Sequence, residues 1–79
     1  MMIRKELRLV ITFATTTEAI AMERFCRDNG VPGRLIPVPP SITAGCGMAW
    51  SAPVKNREMI DTLMKENNIE KEAMHMCMV

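Results

Sequence analysis

The cysteines and the single histidine are the side chains of this chain best suited to nucleophilic or soft-ligand chemistry, and one thiol stands apart. Cys46 sits between Gly45 and Gly47, shortly after a proline-rich stretch containing Pro37, Pro39 and Pro40. Glycine has no Cβ, so backbone on either side of this thiol is free to take positive φ and leaves the sulfur uncrowded. The other two cysteines, Cys26 and Cys77, lie inside periodic apolar segments. The thiolate is the reactive form of cysteine, and nearby backbone N–H groups or a cation favour it. Flanking glycines allow several N–H groups to converge on one anionic sulfur. Arg34 is a candidate cation because its strand feeds the loop, although it falls at the far end of that strand. The plain alternative is a turn that happens to contain cysteine.

The rest of the chain narrows the chemistry. A cysteine hydrolase needs a base within hydrogen-bond reach. The only histidine, His75, falls on the last predicted strand, at the opposite sheet edge from the strand that feeds the loop. A Cys46–His75 dyad is therefore disfavoured. No Cys-x-x-Cys pair is present for dithiol redox work. Met74, His75, Met76, Cys77 and Met78 form a second constellation with soft-metal ligand types. Strand alternation sends the three methionines one way and His75 and Cys77 the other. Core filling by flexible thioethers is the favoured reading, with a His75/Cys77 metal site as the lesser one. Trp50 shares a face with Met48, and Ala49 shares the other with Ser51, so Trp50 is either core or exposed on an open sheet face.

Composition bounds the function classes. The chain has 79 residues, which predicts a single domain over 1–79 with a small core. Ten Lys and Arg against nine Asp and Glu give a net charge of +1, with no basic run to attract nucleic acid or an acidic membrane. Three aromatic residues, Phe13, Phe25 and Trp50, form no stacking platform for RNA. No apolar run reaches the roughly 20 residues of a membrane-spanning helix, and no signal-peptide core follows the N-terminus. A cytoplasmic location with free thiols is the expectation.

The elements follow from periodicity. Residues 7–13 alternate with Leu7, Leu9, Ile11 and Phe13 on one face, and Val10 hints that the second face is not fully wet. Thr15 with Glu18 three residues later reads as a capping box. Ala19, Met22, Phe25 and Cys26 recur at helical spacing, and Asp28, Asn29 and Gly30 end the helix. Cys26 lies on the apolar stripe and is expected in the core. Residues 34–38 form a short strand whose proline assigns it to a sheet edge. A loop over 39–45 follows, with one helical turn expected at 41–43, and then a strand at 47–51. Ser51 or Ala52 is expected to open a second helix with Pro53 in its first turn. Ile60, Leu63 and Met64 are its buried stripe, with Val54 and Met59 alongside, and Asn67 and Asn68 stop it. The tail ends in an alternating strand.

The order is β-α-β-β-α-β, the ferredoxin-like α+β plan: a four-stranded antiparallel sheet with two helices on one face. Right-handed crossovers put strands one and three in the centre. The second sheet face has no covering element and is expected to meet solvent or a partner.

Val10, Ile11, Thr12 and Phe13, the threonines 15–17, Asn29-Gly30-Val31-Pro32, the run Arg34-Leu35-Ile36-Pro37-Val38-Pro39, Ser41-Ile42 and finally Cys46-Gly47 together resemble a small bacterial family, the selenium/sulfur carrier protein-like family. The resemblance spans about Leu7 to about Met76. It implies a carrier of activated sulfur or selenium, with Cys46 as the carrying thiol, Gly47 as its motif partner and Arg34 in a supporting position. The methionine-rich tail ending in Cys77 departs from the family pattern.

Such a carrier takes sulfur from a protein donor and passes it to an acceptor, and it needs no metal, cofactor or local general base. It is more a carrier than a stand-alone enzyme. The alternative is a non-catalytic interaction or regulatory module that uses the open sheet face to dimerise or bind a ligand.

Overall fold

The computed structural model describes residues 6–39, 42 and 47–78. Strand β1 is Leu7–Thr12, helix α1 Thr16–Asp28, strand β2 Arg34–Pro37 and strand β3 Met48–Pro53. A 3-10 turn, Val54–Asn56, leads into helix α2, Arg57–Glu66, and strand β4 is Ala73–Met78. The sheet order is β2-β3-β1-β4, and every neighbouring pair is antiparallel. This is the ferredoxin-like α+β arrangement, with β1 and β3 central and β2 and β4 at the edges.

The two helices end alike. The Thr15 hydroxyl accepts from the Glu18 N–H at 3.4 Å and starts α1. At its other end Gly30 takes φ +67°, and the Val31 N–H returns to the Cys26 carbonyl at 2.8 Å. In α2 the same place is filled by Asn68 at φ +54°, and the Ile69 N–H returns to the Met64 carbonyl at 2.9 Å. Both are Schellman-type ends, in which a left-handed residue lets the chain satisfy carbonyls that the helix has orphaned. The side-chain amides of Asn29 and Asn67 each donate to the carbonyl four residues back at 2.8 Å. Val31 and Ile69, the next apolar residues, tuck into the core.

The core lies between the sheet and the helices. Leu9, Ile11 and Phe13 meet Met22 and Cys26 of α1, Ile60 and Met64 of α2, and Trp50 and Ala52 of β3. Each fully buried large apolar side chain here stabilises the fold by roughly 1.5–3 kcal/mol. Trp50 is 2% exposed and belongs to this core, which settles its two sequence readings.

Two expectations are corrected. Ser51 and Ala52 do not open a helix: β3 runs on to Pro53, which pairs with Arg8, and α2 begins only at Arg57. Proline at the last strand position costs no helical bond and little sheet bonding, so pairing with β1 decides the state. Met59 is 53% exposed, not part of the buried stripe of α2.

The face without helices is not bare either. Val10, Thr12 and Ala49 are fully buried there and Ser51 nearly so. Arg8 lies across this face, its Nε donating to the Ser51 hydroxyl at 3.0 Å and its Nη2 to the Ser51 carbonyl at 3.4 Å.

Candidate functional site

The loop between β2 and β3 leaves the sheet through a closed neck. Pro37 pairs with Met48, and one step outward the Val38 N–H donates to the Gly47 carbonyl at 3.1 Å. The Ile42 N–H donates to the Pro39 carbonyl at 2.9 Å. Gly47 takes φ +76°, a left-handed conformation that L side chains rarely adopt. It is exposed, and a Cβ placed on it would meet nothing within 4 Å. The glycine here answers a backbone demand, not a packing one. Cys46 and Gly45, with the helical turn expected at 41–43, lie outside the described residues.

Arg34 does not sit at the neck. It pairs with Ser51, three residues back along β2 from Pro37, or about 10 Å away along the strand. There it lines a cavity of about 290 Å³ together with Glu23, Arg27, Val31, Gly33 and Trp50. His75 pairs with Val10, whose other neighbour is Ser51. That row is three residues along β3 from Met48, and His75 is two strands across from β3, so it lies roughly 14 Å from the neck. Cys77 pairs with Arg8 at the far end of the same edge.

The described thiols divide clearly. Cys26 is fully buried in the core, and burial pushes its pKa up to about 11. It is a protonated, packed thiol at neutral pH, the opposite of a nucleophile. Cys77 is half-buried on β4. Register puts Met74, Met76 and Met78 opposite Ile11, Leu9 and Leu7 on the helix side, and His75 and Cys77 on the other. The five soft donors of β4 are thus split between two faces. Among the described residues no group of three His, Cys, Asp or Glu side chains converges on a metal position. Core filling accounts for only part of the methionine stripe: Met74 packs against the core, but Met76 is 49% and Met78 58% exposed. Arg8 and Ser51 are the polar contact that sequence reasoning missed. The only signal for them was their polar phase on β1 and β3.

A ferredoxin-like sheet whose second and third strands close on each other at a neck, Val38 against Gly47, defines a small α+β module. The family described as "Putative Se/S carrier protein-like" matches residues 8–76, and the chain belongs to it. No curated protein and no solved structure matches the chain. No helix among the described residues is long and apolar enough to cross a membrane.

Proposed function

We propose that this protein is a carrier of activated sulfur or selenium, held on Cys46 and passed between protein partners. The observation that carries the reading is membership of the carrier-like family over residues 8–76, a span that includes Cys46 and Gly47. The open space at Gly47 supports it, because a partner's active site must reach the loop. So does Cys26, whose buried and protonated state removes it from competition.

In the proposed step the Cys46 thiolate attacks the terminal sulfur of a donor persulfide, R–S–S–H. A new S–S bond forms on Cys46, the donor S–S bond breaks, and the donor leaves as thiolate R–S⁻. The proton stays on the transferred sulfur, giving Cys46–S–S–H with no net oxidation. Delivery to an acceptor thiolate is the same exchange in reverse sense. Selenium in the terminal position follows the same path. Gly45 and Gly47 supply room and N–H groups, and Arg34 acts at most from a distance, as a docking cation for an acidic partner. The chain works in the cytoplasm, where such thiols stay reduced.

Incubation with a cysteine desulfurase and cysteine should add one sulfur mass to Cys46, and Cys46→Ser should abolish it. Label found only on Cys26 or Cys77 overturns the assignment. The other reading, an interaction module using the helix-free face, has less support, because Val10, Thr12, Ala49 and Ser51 at its centre are already buried.

A further inference from the structure

The two edges of the sheet are unlike. Edge strand β2 is four residues long, begins with Arg34 and ends with Pro37. A short strand, a charge and a proline are the common devices that keep an edge from pairing with another chain. Edge strand β4 has none of them. Its six residues, Ala73–Met78, include no proline, lysine, arginine or carboxylate. Among the described residues only β1 pairs with it, so its outer backbone groups face no strand.

The same edge carries exposed apolar surface. The helical layer reaches Met74 but stops short of Met76 and Met78. Leu7, the register partner of Met78, is 52% exposed, so the three side chains form a patch beside the free edge. An unpaired strand edge is completed by another strand, and an apolar patch beside it selects a strand with apolar residues on that face.

The residue pattern selects this chain's own strand. Met-His-Met-Cys-Met is symmetric in residue class about Met76: methionine at 74 and 78, a polar or soft group at 75 and 77. An antiparallel pair related by a twofold axis normal to the sheet keeps the helices of both copies on one side. It must therefore match even with even positions. We propose that two copies of this chain pair antiparallel along β4, centred on Met76, to make a continuous eight-stranded sheet. Met76 then faces Met76 of the second copy, Met74 faces Met78, and His75 faces Cys77 on the helix-free side. Neither strand carries a lysine, arginine or carboxylate, and His75 faces Cys77 and not its own mate, so self-pairing sets no like charges directly opposite. The contact is short and places the dimer among the weaker, reversible ones. Strand β2 and the Val38–Gly47 neck lie on the side of each copy away from the shared edge, so pairing along β4 leaves them uncovered. The inference does not depend on the carrier reading.

Sedimentation equilibrium of the full chain under reducing conditions should show a reversible monomer–dimer equilibrium in the micromolar range. Met76→Lys sets two ammonium groups face to face on the axis. It should raise the dissociation constant about tenfold or more while leaving the circular dichroism spectrum unchanged. In a Cys46→Ser/Cys77→Ser background, which leaves only the buried Cys26 besides the introduced thiol, mild oxidation should link Met76→Cys copies to one another. His75→Cys copies should link far less, because residue 75 meets its own mate only on the diagonal. A chain that stays monomeric at millimolar concentration overturns the proposal. A dimer indifferent to Met76→Lys does so too, and preferred crosslinking at 75 overturns the register.

Discussion

The two described cysteines, Cys26 and Cys77, have different environments, and environment decides what each sulfur can do. Cys26 lies on the core stripe of α1, and desolvation holds its proton to about pH 11 against an ordinary value near 9. Raised in the folded state, this pKa contributes stability that is complete below about pH 9. That stability is lost as pH climbs toward 11, because the unfolded chain ionises first. Urea midpoints should therefore fall across that window, by up to roughly 2–3 kcal/mol of stability. Cys26→Ala should be less stable throughout but flatter between pH 9 and 11. An equally steep decline in Cys26→Ala would assign the loss to other groups. This residue's fate was legible from its helical spacing alone. That of Cys77 was not, since alternation placed it on a face but said nothing of what lies beyond its edge.

At the scale of elements, the helix ends were readable and the start of α2 was not. Gly30 and Asn68 announce left-handed caps by residue type, since glycine and asparagine bear positive φ at the least cost. Ser51, Ala52 and Pro53 carry an equally good local signal for a helix start. It is overruled because pairing with β1 extends through Pro53. Gly33 shows how tightly the elements close on each other. A Cβ there would stand 2.6 Å from Trp50 Cε2 and Cζ2 and 2.7 Å from the Ser51 carbonyl oxygen, at φ +146°. Gly33→Ala should cost about 2 kcal/mol or more, because neither a core indole nor a strand carbonyl can give way. Gly30→Ala meets open space and should cost only about 1 kcal/mol, the backbone penalty. Urea titrations followed by the single tryptophan measure both, and equal losses would contradict the packing account.

For the molecule as a whole, stability should be graded from the sheet centre outward. β1 is bonded on both sides, and β1 and β3 supply most of the fully buried side chains. Among the described residues β2 and β4 each have one neighbour. Native-state hydrogen exchange at low protein concentration should find the slowest amides in β1 and β3 and faster ones in β2 and β4. Raising the concentration should slow β4 and leave β2 unchanged if the shared edge forms. Uniform protection across all four strands would contradict this gradient.

The residue order by itself determined the element sequence, the edge position of β2, the core fate of Cys26 and the split of the methionines from His75 and Cys77. These follow from period, capping and proline chemistry, which act over a few residues. The family signature, too, is carried by consecutive residues. Tertiary structure decided the rest. It set which face of β3 takes Trp50, where α2 begins, how far Arg34 stands from the loop's neck and which methionines remain uncovered. Each depends on strand register and on where the helical layer ends. Those are relations between residues far apart in the chain, and no local pattern encodes them.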